Sequence, residues 1–264
     1  MVFENAISPS SWTLPAHSSL FTGKYIFKHN ASKRHQKLDK FQITLAEILK
    51  NRGYNTAGFI GGPYCKAKYG IEQGFITYKD RLDFFEHIFT FDRFSIRNLF
   101  IFLFPSLHDF IFRTDGERTA KEINRDVVKW LKRNKKSNFF VFINYFDAHT
   151  PYIRKEFLYL FTNDTREYNK VKRSLNTKRY GNVSKEDVEY MKDHYDAEIF
   201  YLDFYLGKLL NELQRLNLIN NTIIIITADH GEEFYEHGGF EHFETLYEEV
   251  IHVCLLYTSP SPRD

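Results

Sequence analysis

The sequence predicts an α/β fold, a doubly wound, mostly parallel sheet with helices on both faces. Three observations predict it. Segments of helical period alternate with short apolar runs, an order that yields parallel strands joined by crossover helices. Two of those runs, Phe139-Phe140-Val141-Phe142-Ile143 and Ile223-Ile224-Ile225-Ile226, are continuously apolar rather than alternating, as strands buried on both faces are. The chain's 264 residues, 43% hydrophobic and 27% charged, match one large globular domain rather than a disordered chain.

Each element has its own signal. Thr44 to Arg52 reads as a short helix closed by Gly53, the usual residue after a helix end. Thr56-Ala57-Gly58-Phe59-Ile60 then forms a brief strand running into Gly61-Gly62-Pro63. Residues 80–115 are aromatic without clear period and are expected to form an insertion over the sheet. From about Arg118 to Lys132, Ile123, Val127, Val128 and Leu131 recur at helical spacing and lead into the Phe-rich strand. Residues 152–183, rich in Lys, Arg and Asn, are expected to be an exposed loop. Ser184 reads as the N-cap of a long helix, along which Val188, Met191, Tyr195, Ile199, Leu202, Leu206, Leu209 and Leu213 follow at intervals of three and four. Asn220-Asn221 turns the chain into Thr222–Thr227, expected to be a fully buried central strand.

Composition excludes several function classes. With 36 Lys and Arg against 34 Asp and Glu, the chain lacks the basic excess of a dedicated nucleic-acid binder. Cys65 and Cys254 cannot build a disulfide framework and lack zinc-site spacing. The opening Met1-Val2-Phe3-Glu4-Asn5 has no secretory pattern. The most membrane-like stretch, Leu99 to Phe112, is interrupted by Pro105, His108 and Asp109 and falls short of the ~20 apolar residues of a spanning helix. Membrane contact is therefore not expected for this segment, and the chain is expected to be soluble as written. Localisation and oligomeric state have no signal in the sequence.

Ligands of doubly wound sheets bind beyond the carboxyl ends of the strands. After the Ile run stands Ala228-Asp229-His230-Gly231-Glu232, a carboxylate and an imidazole able to turn toward one cation. After the Phe-rich strand stands Asp147-Ala148-His149-Thr150-Pro151, a second acid–imidazole pair at the same edge. Near the start, Thr13-Leu14-Pro15-Ala16-His17 puts a hydroxyl at a helix N-terminus, where backbone N–H groups and the helix dipole favour an anion. Glu232, Glu233, Glu236, Glu248 and Glu249 read as a solvated acidic face, of which only Glu232 is expected to reach the site. Trp12 and Trp130 are assigned to packing, Cys65 to an inert thiol, and Lys132 to Lys136 to a charged helix end.

Together these segments resemble the sulfatase N-terminal domain of the alkaline phosphatase superfamily, over Val2 to about Val253. The family's nucleophile segment reads Cys or Ser, any residue, Pro, Ser, Arg, two variable residues, Leu, any residue, Thr, Gly. Here Thr13-Leu14-Pro15-Ala16-His17-Ser18-Ser19-Leu20-Phe21-Thr22-Gly23 matches it at Pro15, Leu20, Thr22 and Gly23. Thr222 to Glu232 resembles the family's metal-binding strand end, Tyr195 to Asp203 the helix before it, and Leu246-Tyr247-Glu248-Glu249-Val250 the segment after it.

The resemblance implies a metal-dependent hydrolase of sulfate or phosphate esters acting on a small anionic ester, on a glycan or a lipid. In its terms Thr13 is the nucleophile, His17 and His149 lie near the transferred group, and Asp229, His230, Thr13 and His242 hold a divalent metal ion. His242 stands at the spacing from Asp229 at which related threonine-nucleophile transferases carry a further His; His237 fits that spacing less well. Where many relatives follow the metal Asp with Asn, His230 offers nitrogen, which favours Zn or Mn over Ca or Mg. Threonine cannot become the formylglycine of other sulfatases, and Ala16 and His17 replace the Ser and Arg of their signature. A phosphoethanolamine-type phosphotransferase acting on lipid or glycan headgroups, or a non-catalytic anion-binding member of the fold, are the alternative readings.

Both ends depart from the family. Residues 1–253 are expected to be a partial catalytic domain lacking an upstream strand with metal-ligand aspartates and a carboxyl-terminal part, and to be inactive alone. Residues 254–264 read as one frame of a sequencing-library adapter and are expected to be a non-native tail.

Overall fold

A computed structural model of the chain describes residues 1–32, 34–80, 118–177 and 183–258. In chain order its elements are β1 (Val2–Ile7), α1 (Thr13–Thr22), α2 (Ile26–His29), α3 (Leu45–Asn51), β2 (Asn55–Ile60), β3 (Thr77–Lys79), α4 (Ala120–Asn134) and β4 (Phe139–Asn144). There follow α5 (Tyr168–Thr177), α6 (Lys185–Arg215), β5 (Ile224–Thr227), β6 (Glu233–Phe234), β7 (Phe240–Glu241), α7 (Glu248–Ile251) and β8 (His252–Thr258).

Local chemistry starts the main helices. Thr44 and Glu47 form a reciprocal capping box at α3, and Thr119 and Glu122 form another at α4; each satisfies two amides that a helix start leaves open. Ser184 Oγ accepts the Asp187 amide at 3.0 Å and so caps α6.

The parallel sheet has the order β3-β2-β4, with β2 in register from Asn55 opposite Phe139 to Ile60 opposite Asn144. Its two faces are sorted by the two-residue repeat of a strand. Phe140 and Phe142 of β4 pack with Leu14 and Phe21 of α1 and with Leu38 and Ile71. Val141 and Ile143 pack with Ile123, Val127 and Leu131 of α4 and with Leu209 and Leu213 of α6. Helices thus cover both faces, and the α/β class holds.

Three expectations are corrected. The Ile run is not a fully buried central strand: β5 lies at the end of a second sheet, β1-β8-β5, pairing antiparallel with β8, and Ile223 and Ile225 are exposed. Ile224 packs against the core shared with α4 and α6; an apolar run carries no information about which of its faces a neighbour covers. Residues 152–177 are not an exposed loop. Tyr168, Val171 and Leu175 of α5 form a helical stripe buried against Tyr152, Tyr190 and Met191, a stripe that the surrounding lysines and asparagines mask in composition. Glu233 is no solvated acid but a buried one; its carboxylate accepts the Gly239 amide at 2.8 Å, the His237 amide at 3.2 Å and the Thr245 hydroxyl at 3.1 Å.

Residues 254–258, within the expected tail, form the last five of the seven residues of β8, and 259–264 lie outside the described residues. The expected insertion over 80–115 and the Leu99–Phe112 stretch lie outside them too, apart from Asp80. Among the described residues no helix is long and apolar enough to cross a membrane.

Candidate active site

Thr13 is the first residue of α1, and no side chain caps that N-terminus, where Trp12 is extended. The first-turn amides and the positive end of the dipole therefore face whatever lies before them. The Trp12 ring packs edge-on to Tyr64 and Phe243, while Leu14 and Phe21 anchor the opposite side of α1 in the core. The segment joining β1 to α1 is tied to the end of β5: the Ser8 hydroxyl donates to the Asp229 carbonyl, and the Ser8 amide to the Ile251 carbonyl at 2.7 Å.

Beyond β5 the chain turns sharply at Gly231, whose amide donates to the Val250 carbonyl at 2.7 Å. A Cβ at this position would come within 2.1 Å of the Glu249 carbonyl oxygen, so only glycine lets this turn lie against α7. The turn sets His230 facing α1. Its Nδ1 lies 3.0 Å from the Gly231 carbonyl; since a carbonyl only accepts, Nδ1 carries a proton, and Nε2 is the nitrogen turned toward Thr13 and Asp229. That Nε2 is 3.5 Å from Thr13 Oγ1 and 3.5 Å from Asp229 Oδ2. His17, buried beneath them, donates from Nδ1 to the Thr13 carbonyl at 2.9 Å and stands 3.4 Å from Asp229 Oδ2. Burial pushes the Asp229 carboxyl up, but the His230 and His17 imidazoles outweigh it and hold it below the ordinary carboxylate value.

A second group adjoins the first. The His242 ring lies 4.0 Å from that of His230 and 5.0 Å from that of His149, centroid to centroid. His242 Nδ1 donates to Glu232 Oε1 at 2.9 Å, and His149 Nδ1 to the Thr150 carbonyl at 2.6 Å. The other Glu232 oxygen is buried without a hydrogen-bond partner. One donor atom from each of His149, Glu232 and His242 lies within 4.8 Å of the others. Burial lowers the His149 pKa; for His242 burial works the same way, but the Glu232 bond outweighs it and the pKa is raised. Phe146 stacks on His149 at 4.2 Å, and a Cβ on Gly62 would strike that Phe146 ring at 2.5 Å.

Asp147 does not share the site with His149. It is buried, accepts the Ala120 amide at 2.7 Å at the start of α4, and pairs with Arg154 at 2.6 Å. Arg154 also holds Glu198 at 3.0 Å. Burial raises both acids against these partners, Glu198 to about 7. His237 lies apart from His242, bonded through Nδ1 to Glu249 at 2.6 Å. Lys172 is a residue that sequence reasoning missed: its Nζ bridges Thr150 Oγ1 at 2.5 Å and Glu241 Oε1 at 2.7 Å, the neighbours of His149 and His242. A lone lysine in a polar segment carries no signal for such a part.

The sulfatase family model matches residues 1–262. Arylsulfatase K of Canis lupus familiaris is 35% identical over 80 residues, 30% of this chain and 15% of that protein. Iduronate 2-sulfatase of Mus musculus is 27% identical over 179 residues, 56% of this chain and 32% of that protein. Among solved structures, the phosphonate monoester hydrolase of Agrobacterium radiobacter superposes with a TM-score of 0.68 at 17% identity, over 98% of this chain and 61% of its own. A protein in complex with its substrate D-glucosamine-2-N,6-O-disulfate gives 0.61 at 18%, over 98% and 64%. The chain thus spans less than two thirds of the length of each of these relatives, whose likeness in structure is a likeness of fold. On the match across nearly its whole length, the chain belongs to the sulfatase family.

Proposed function

We propose that these residues carry the nucleophile and part of the cation site of a hydrolase of sulfate or phosphate esters. The observation that carries this reading is the approach of Thr13 Oγ1, at an uncapped helix N-terminus, to His230 Nε2, with Asp229 Oδ2 beside that nitrogen. The Thr13 hydroxyl, the His230 nitrogen and the Asp229 carboxylate are linked by two steps of 3.5 Å, and a cation among them would be drawn to the carboxylate. A tetrahedral shell with bonds of about 2.1 Å separates its donors by ~3.4 Å, so the residues fit a small divalent ion.

Thr13, Asp229 and His230 would hold that ion, with His242 packed against His230, and the imidazole nitrogen favours Zn or Mn over Ca or Mg. Bound there, the metal supplies a Lewis acid that makes the hydroxyl a competent nucleophile near neutral pH. Thr13 Oγ then forms a bond to phosphorus or sulfur as the ester oxygen leaves with a proton, and water later releases the group. The free amides of α1 receive a non-bridging oxygen. His17 holds the first turn of α1 against Asp229, and His149 orients the transferred group.

The threonine favours one narrower reading, transfer of a phosphoryl rather than a sulfuryl group, as in a phosphoethanolamine-type transferase, because its hydroxyl has no route to formylglycine. The test joins calorimetry with Zn²⁺, Mn²⁺ and Ca²⁺ to mass spectrometry of the Thr13 peptide after incubation with aryl phosphate or aryl sulfate. A phosphoryl adduct lost in Thr13→Ala supports the reading. Unchanged adduct or turnover in Thr13→Ala would remove Thr13 from the chemistry, and preference for Ca²⁺ would overturn the metal assignment.

A further inference from the structure

The far end of α1 opens onto a surface that the candidate site does not use. Phe41 is 82% exposed, Phe27 76%, Tyr25 66% and Ile43 65%, and Leu20 is also more than half exposed. These residues form one patch. The Gln42 side chain accepts from Lys24 Nζ at 2.8 Å and donates to the Lys28 carbonyl at 3.2 Å, which pins 41–43 across 24–28. Tyr25 and Phe27 lie parallel, 10° between planes and 5.9 Å between centroids.

The patch is presented from a firm base. Phe21, Ala31 and Leu38 are buried beneath it. His29, fully buried, donates from Nε2 to Ser19 Oγ at 2.9 Å and accepts the Ala31 amide at Nδ1 at 3.1 Å. The exposed rings are therefore not the ends of a fraying segment.

The charge around it is predominantly positive. From Leu20 to Ile43 the sequence holds six lysine or arginine residues and one acid. That acid, Asp39, is taken up by the Phe41 amide at 3.0 Å. Lys28 Nζ lies 6.0 Å from the centre of the Phe27 ring and Lys40 Nζ 5.4 Å from that of Phe41, so the ammonium heads stand beside the rings they flank. None of these residues lines the 450 Å³ cavity beside His230 or the 610 Å³ groove between α4 and α6.

Protruding aromatic and aliphatic side chains ringed by lysines suit the boundary of an anionic bilayer, where rings sit at headgroup depth and each lysine gains from the negative surface. We propose that the 20–28 and 38–43 segments form a peripheral docking surface for membranes rich in anionic lipid. The proposal is independent of the chemistry assigned to Thr13.

The test is co-sedimentation of the whole chain with vesicles of phosphatidylcholine alone or with roughly one third phosphatidylserine, at low and high salt. Binding is expected on the anionic vesicles only, weakened by salt. The pair Phe27→Ser and Phe41→Ser should lower partitioning by about tenfold or more. Lys24→Glu, Lys28→Glu and Lys40→Glu should each lower it by about fivefold. Phe41→Trp, which keeps an aromatic ring, should be quenched by bromine on the lipid chains, and near-unchanged melting of each variant separates lost binding from lost folding. Equal binding to neutral vesicles, no binding at all, or an equal loss in Lys121→Glu with Lys129→Glu in the α4 groove would overturn the proposal. So would a dimer, seen by sedimentation, that the double serine variant dissociates, since the patch would then belong to a second copy.

Discussion

Two segments of this chain read almost alike, and the fold gives them opposite work. Asp147-Ala148-His149 follows β4, and Asp229-His230 follows β5. In the first, the acid turns inward to the Ala120 amide and Arg154, and only His149 reaches the cluster with Glu232 and His242. In the second, the imidazole meets Thr13 and the acid lies beside that imidazole. Burial raises the Asp147 carboxyl, whereas two imidazoles hold Asp229 low. The difference lies in what else each carboxylate can touch: a helix start and a guanidinium make one structural, and a pair of imidazoles leaves the other facing the site.

The comparison breaks most visibly at Asp147. Asp147→Ala leaves Arg154 half-paired and an uncapped amide in the core, and is expected to cost about 3 kcal/mol of stability, read as a lower midpoint in urea, with metal affinity nearly unchanged. If affinity fell as far as it does in Asp229→Ala, the division between the two acids would be wrong.

Next in size is the pH dependence of the Asp147–Arg154–Glu198 group. The Glu198 pKa stands near 7 in the fold against 4.5 as its ordinary value. Between those two the unfolded chain binds fewer protons than the folded one, so stability present at low pH is lost as pH rises through about 7. A loss on the order of 2 kcal/mol is expected across that window, and Glu198→Gln should flatten it in denaturant titrations at pH 5 and pH 8.

Asp229→Ala should do the reverse of Asp147→Ala, with less than about 1 kcal/mol of stability change but a loss of metal affinity of about tenfold or more by calorimetry. The smallest effect is expected at Ser8. Removing its hydroxyl frees the Asp229 carbonyl and should cost about 1 kcal/mol, with a smaller drop in metal affinity than Asp229→Ala produces.

Much of this was legible in the sequence. The alternating elements predict the α/β class, and the strand-end rule points to Asp229, His230 and His149, whose side chains lie along one row of contacts with His242. The inward turn of Asp147 was not legible, since it depends on Arg154 and Glu198, distant in sequence or hidden in a polar segment. Nor was α5, whose buried stripe of Tyr168, Val171 and Leu175 is diluted by lysines, or the bridge of Lys172 between Thr150 and Glu241. The edge position of β5 escaped for another reason: pairing with β8 joins residues some thirty apart, and a run of isoleucines names no partner.

One pairing sets the order in which the site can assemble. Ala6 pairs with Val253 and Ile7 with His252, and the Ser8 amide reaches Ile251, so the strand that leads into Thr13 is fixed by residues made about 245 positions later. During synthesis Thr13 is made 217 positions before His230, and the strand that leads into it stays unpaired until β8 follows. The Thr13 hydroxyl is thus kept apart from His230 and Asp229 until the chain between them has been made.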